Sequence, residues 1–279
     1  MSDLIRRGWF ERTRGSLGPY RSFFAARFRA LLQYRSAAVG GIVTQTFFGL
    51  IQIMVFQAFY RSTTFEQPMS MAQVTSYIWL GQAFLGIIPW YVEEEQRAMI
   101  RSGAVAYELL RPVRLYTLWF ARALAWRSAP TLLRCVPILT IAFAFFGLGL
   151  PASPLLGLAW AVAMIGAIIL SASITTLLTI TLLWTISGEG INVLAAALVT
   201  LFSGLMIPLP LFPDWVRPFV EILPFRGLMD TPYRLYVGYA RPGDLLGLLA
   251  HQLVWAAILI AAGQLLLRRG LRRLTILGG

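Results

Sequence analysis

The chain has no lysine, one cysteine and one histidine in 279 residues, and only 13% of it is charged. Each shortage excludes something. Without lysine there is no G-x-x-x-x-G-K-[ST] loop, so the chain does not hydrolyse ATP by that device. The lone Cys135 excludes an internal disulfide and a cysteine zinc cluster. It is expected to pack as a small apolar residue. His251 by itself cannot build a multi-histidine metal site, and is expected to cap or pack at the start of an apolar run. Acids are also scarce, twelve against 24 cations, for a net charge of +12. They fall at the ends of apolar runs or between them. No relay of intramembrane carboxylates, the mark of a proton or ion pathway, is visible.

What the chain has in abundance is apolar sequence. It is 58% hydrophobic with a mean hydropathy of +0.69, against roughly 45–50% apolar in soluble domains. The cations, all arginine, are clustered. Eight precede the first apolar run: Arg6, Arg7, Arg12, Arg14, Arg21, Arg27, Arg29 and Arg35. Seven lie between the second and third runs: Arg97, Arg101, Arg111, Arg114, Arg122, Arg127 and Arg134. Arg268, Arg269, Arg272 and Arg273 close the chain. This placement flanks membrane-length runs and does not form one basic face, which excludes a nucleic-acid partner. Cytoplasmic loops carry such an excess, so both termini are expected in the cytoplasm, with the arginines at anionic headgroups.

A membrane helix needs about 20 apolar residues. That length predicts an all-α polytopic membrane protein with six spans, at residues 37–60, 72–92, 130–149, 154–186, 190–211 and 245–267. The long fourth run is read as one helix, and an amphipathic stretch from Leu115 precedes the third. The domain reading is a cytoplasmic interfacial region over 1–36, a six-span transmembrane domain over 37–267 and a cytoplasmic basic tail over 268–279. Within 20–35, Phe24, Phe28 and Leu31 share a face at helical spacing, with Arg27 and Arg35 off it and Tyr34 beside them. This predicts a helix lying among membrane lipids at the headgroups. Residues 212–244 hold five prolines among aromatics and cannot form one helix. Phe212, Trp215, Phe219, Ile222, Leu223 and Phe225 are expected to seek burial. Short helices dipping into the outer leaflet, buried against protein, are predicted there.

The segment after the second run carries the strongest signal. Glu93 and Arg97 are spaced as an i,i+4 pair on a helix. Gly103 can break that helix, and Pro112 predicts a stop at Arg111. Between them Val105, Tyr107 and Leu109 are expected to face a partner. Two polar stripes are candidates for a substrate route or for helix packing: Gln45, Gly49 and Gln52 in the first run, and Ser171, Thr175 and Thr179 in the fourth. The turn Ser187-Gly188-Glu189-Gly190 places Glu189 in water.

The run from Ile100 to Val113, with its Ser-Gly and Leu-Leu-Arg-Pro pattern, resembles the first cytoplasmic loop of ABC-2 type exporter permeases. It is most similar to a six-span branch that includes viologen-exporter-like permeases. Leu32-Gln33-Tyr34-Arg35 and the run from Phe212-Pro213-Asp214-Trp215 through Leu223-Pro224-Phe225 resemble the same branch. The resemblance implies a type V exporter permease that is not itself an enzyme. ATP and Mg would be held by a separate ATP-binding cassette subunit, and a second permease, identical or related, would complete the assembly in a bacterial plasma or inner membrane. It implies that Ile100, Arg101, Gly103, Val105, Tyr107, Leu109, Leu110, Arg111 and Pro112 dock on the ATPase. It also implies that the helix with Phe24, Arg27, Phe28, Leu31, Tyr34 and Arg35 braces them. Phe212, Pro213, Trp215, Pro224 and Phe225 would then form a re-entrant outer gate. The other readings are an ion-driven secondary transporter and a membrane-embedded lipid enzyme.

Overall fold

A computed structural model of the chain describes residues 17–185 and 189–277; the early arginines 6, 7, 12 and 14, and Ser187 and Gly188 of the predicted turn, lie outside them. The described residues are helical, without strands. The helices are α1 (Gly18–Leu31), α2 (Arg35–Ser62), α3 (Met71–Ala83), α4 (Glu94–Arg101), α5 (Val105–Leu109), α6 (Leu115–Phe145), α7 (Pro154–Thr181), α8 (Glu189–Phe202), α9 (Arg217–Ile222), α10 (Asp230–Tyr236) and α11 (Leu245–Leu277).

Four of them, α2, α6, α7 and α11, are long and apolar enough to cross a membrane. At 1.5 Å per residue they run about 42–50 Å, beyond a hydrocarbon core of roughly 30 Å. The fourth run is one helix, stopping at Thr181 in a turn that reaches Trp184. The expected amphipathic preface and third span are also one helix. α6 is unbroken from Leu115, and Pro130 and Pro137 sit inside it.

The second and fifth runs depart from the expectation of full spans. α3 ends after 13 residues, and a 3₁₀ turn, Leu85–Ile87, follows. Pro89 explains the break, because the residue before a proline is pushed out of the helical region. Ile88 is accordingly extended, with φ −65° and ψ 124°. α8 ends after 14 residues. Two residues later Gly204 takes φ +90°, a conformation that favours glycine. Nine of the 13 residues of α3 are buried in protein. A helix buried on most sides reads as an apolar run just as a lipid-facing span does.

The main core surrounds α3, whose Trp79 stacks on Phe146 with centroids 4.9 Å apart. Two smaller clusters mark opposite ends of α7. Ile180 packs with Val105, Trp119 and Leu267 at one end, and Leu156 packs with Leu235 and Leu248 at the other. These α7 positions are about 36 Å apart along the helix. The α4–α5 segment and the α9–α10 segment therefore sit on opposite faces of the bundle. On α2, Val39, Val43, Phe47 and Met54 face outward, as lipid-facing positions do.

α1 lies along the first half of α6. Its buried Tyr20 accepts a hydrogen bond from the Arg114 backbone N–H at 2.8 Å. α1 is shorter than expected. Its ladder tightens after Leu32, with Gln33 N–H bonding Ala30 and Tyr34 N–H bonding Leu31. Tyr34 and Arg35 are therefore not on the interfacial helix; Tyr34 caps α2 and Arg35 opens it.

Candidate functional site

Gly103 separates α4 from α5 in the left-handed region, at φ +74°. α5 then runs five residues and stops before Arg111-Pro112. Both punctuation marks fall where the spacing placed them. Residue orientation is only partly as expected. Tyr107, Leu109 and Leu110 are exposed, Tyr107 by 74% and Leu110 by 77%. Val105, expected to face a partner, is buried instead against Leu115, Tyr116 and Trp119. A turn of helix seated on α6 must bury one side, and Val105 lies on that side. Glu108 is the other anchor: its carboxylate accepts from the Trp119 indole N–H at 2.6 Å. The exposed ridge is thus held from beneath by one apolar and one polar contact.

Ile100 packs at the edge of the same cluster, and Arg101 reaches Glu189, at the start of α8, at 3.6 Å. Glu189 is exposed as expected, yet it is paired.

Beneath the ridge is an ion cluster with a buried centre, Glu93 and Arg122, and a more exposed rim, Arg27 and Glu95. Glu93 does not pair with Arg97 through its side chain; Arg97 instead lies 3.7 Å from Glu94. Glu93 stands at the N-terminus of α4, where a carboxylate is favoured. There it accepts from Arg122 of α6 at 2.7 Å and contacts Arg27 of α1. Glu95 accepts from Arg27 at 2.6 Å. It also lies 2.7 Å from Arg122, close as an ion pair but without hydrogen-bond alignment. Burial raises the Glu95 carboxyl, but Arg122 and Arg27 outweigh it and hold it below its ordinary value. Arg27 was expected at headgroups off the apolar face. It joins α1 to α4 and α6 instead, while Phe24, Phe28 and Leu31 are half-buried along α1.

Arg127 sits one turn and a half further along α6, and its burial was not foreseen. It donates to the carbonyls of Ile88 and Tyr91 at 2.8 and 2.9 Å and to Thr175 Oγ1 at 2.9 Å. It also lies 4.3 Å from the Trp126 ring centroid. Those carbonyls belong to the break after α3, so Arg127 satisfies backbone that a continuous helix would have paired. Ser171 donates to Ile87 in the same break. Thr179 bonds back to the Thr175 carbonyl at 2.9 Å. The hydroxyl stripe of α7 is fully buried and faces this repair.

On the glutamine face Gln45 and Gly49 are buried and Gln52 is half-buried. Gln52 donates to Leu205 and Met206 carbonyls at 3.1 and 2.9 Å, in the irregular stretch after α8. Gly49 packs against Trp79 and Gln82. Gln45 is 3% exposed, and neither amide atom has a partner.

At the opposite end, Pro224 is buried and Phe212 and Phe225 are half-buried, whereas Pro213 is exposed and Trp215, Phe219 and Ile222 are 83%, 60% and 68% exposed. These three find no burial within the chain itself. The prolines at 213 and 218 cut the segment into turns too short to fold every aromatic inward. α10 takes the buried place, with every residue from Asp230 to Tyr236 inside. Asp230 is wholly buried. It accepts from Tyr77 at 3.0 Å and from the Leu209 N–H at 3.2 Å, and pairs with Arg234 at 2.7 Å. The sequence reading missed it because a loop aspartate among arginines looks solvated. Its charge is met inside the fold by Arg234. His251 places Nε2 3.2 Å from the Ile222 carbonyl, and Cys135 is buried as expected.

No curated protein and no solved structure matches the chain. Residues 43–278 match the family model described as ABC-2 family transporter protein. That stretch takes in α6, α7 and α11 whole, α2 from Val43 onward, the α4–α5 ridge and the outer segment. With its membrane-length helices, this coverage identifies the chain as a multi-pass membrane permease that belongs to the ABC-2 transporter family.

Proposed function

We propose that the chain is the permease subunit of an exporter energised by a separate ATP-binding cassette subunit. In this reading both termini and the α4–α5 ridge are cytoplasmic, and the α9–α10 segment is an outer re-entrant gate. The two broken helices, α3 and α8, complete six crossings together with the irregular chain around them. A second permease, identical or related, flanks the first. The cargo is amphipathic or lipid-like, passed by alternating access.

One observation carries the reading. Tyr107, Leu109 and Leu110 stand exposed on a five-residue helix whose other side is anchored by Val105 and Glu108. Exposed apolar residues on a rigid anchored turn suit a docking contact. The arginine clusters on the same side support the orientation.

The test is Leu109→Asp in the full chain. An ATP-binding cassette subunit should co-purify with the wild type and be lost from the variant, or its hydrolysis should no longer drive export into vesicles. Truncating one interface anchor costs roughly 1–4 kcal/mol, enough for either result. Normal binding with normal export would remove the ridge from the mechanism. Gly103→Val is the milder probe. A side chain at φ +74° costs about 1–2 kcal/mol and tilts the ridge, so export should fall more than subunit binding.

A further inference from the structure

Between the loop after α5 and the last turns of α11 lies a cavity of about 590 Å³. Arg111, Arg114 and Arg268 line it with Gln264, and no acid does. None of the three arginines forms an ion pair among the described residues. Three unpaired guanidinium groups around one hollow repel one another unless an anion sits among them.

An aromatic ring closes one wall of the cavity. Tyr116 is 8% exposed, and its hydroxyl has no hydrogen-bond partner. It lines the hollow, its ring laid on Gly263 of α11, where a Cβ would come within 2.8 Å of it. The hydroxyl itself is closed to solvent, so the tyrosine shapes the wall with its ring and offers the hollow no donor. Below the arginines the lining turns apolar, with Leu267 buried.

We propose that this cavity holds the phosphate of an anionic phospholipid, with Arg111, Arg114 and Arg268 on its oxygens. The guanidinium fork matches phosphate geometry. Basic hollows between membrane helices at headgroup level recognise such lipids. The glycerol and first acyl carbons lie along Leu267. The lipid ties α11 to the loop directly beneath the docking ridge, and so fixes the ridge relative to the bundle. This regulatory meaning rests on the proposed coupling role, but binding itself does not.

The full chain, purified in detergent, is titrated with dihexanoyl phosphatidylglycerol, dihexanoyl phosphatidylcholine and inorganic phosphate. Adducts are read by native mass spectrometry. The wild type should retain the glycerol lipid at concentrations where the choline lipid leaves none. Arg114→Gln with Arg268→Gln should weaken retention about 25-fold, taking about five-fold for each arginine. Arg268→Lys with Arg114 intact should keep most of it. Arg241→Gln, at the other end of the bundle, should change nothing. An unfolding midpoint measured without lipid confirms that each variant is folded. Equal retention of both lipids by the wild type, or undiminished retention by the folded double variant, overturns the proposal. Competition by equimolar inorganic phosphate would assign the hollow to free phosphate and overturn the lipid assignment. No ATPase enters this assay. Its failure therefore leaves the coupling proposal standing, and failure of the Leu109→Asp test leaves the lipid site standing.

Discussion

Arg122 of α6 donates to Glu93, at the start of α4, across 2.7 Å, with both side chains less than a tenth exposed. Arg27 of α1 reaches the same carboxylate. Three helices far apart in sequence are thereby pinned at one point under the ridge.

Removing one partner of a buried pair costs about 3–5 kcal/mol, because the other charge stays buried. Arg122→Gln should fall at the low end, since Arg27 still faces Glu93. A lowered thermal midpoint in detergent, with faster proteolysis of α1, is the expected result. An unchanged midpoint would mean that the cluster does not hold the helices. The pH dependence has a definite sign. Because Glu95 is held below its ordinary value, its contribution is complete above that value and is lost as pH falls through its folded value. Glu95→Gln should therefore lose the part of the acid-induced drop in midpoint that Glu95 causes. Most of the Glu95 side chain is exposed, so the effect is small.

Asp230 is the corresponding point at the other end. Asp230→Asn leaves Arg234, buried beside it, with Glu221 as its remaining acid partner. The α9–α10 segment should loosen by about 3 kcal/mol. Thr231, wholly buried, is the reporter. A Thr231→Cys thiol should resist a hydrophilic reagent in the parent and react in the Asp230→Asn background. Equal protection in both would show that the pair does not hold the segment.

The two glutamines of α2 should behave oppositely. Gln52→Leu strips the Leu205 and Met206 carbonyls of their donor, costing about 1–3 kcal/mol. Gln45→Leu removes a buried amide that has no partner, and should leave the midpoint unchanged or raise it. Thermal unfolding of each variant tests both. A large loss at Gln45 would instead point to a group supplied from outside the chain, a substrate or a second permease.

Much of the architecture could be read from run lengths. α2, α7 and α11 lie where about 20 apolar residues demanded them, and Gly103 and Pro112 mark the ridge because their backbone preferences act locally. Burial was less legible. Arg122 and Arg127 stand in a stretch that looks amphipathic, and only apolar neighbours on every side hinted that they point inward. Val105 and Leu109 are equally apolar, yet one is buried and the other 44% exposed.

The sequence by itself determined the class of molecule: apolar length, arginine clustering and the missing lysine are properties of composition and order, and no packing can undo them. Tertiary structure decided where the helices break and what repairs them. Pro89 makes a break favourable, but the break persists in an apolar bundle because Arg127 and Ser171 arrive from α6 and α7 to bond its carbonyls. Unpaired backbone in an apolar interior costs several kcal/mol per group. Its partners come from residues tens of positions away, which no local pattern can specify.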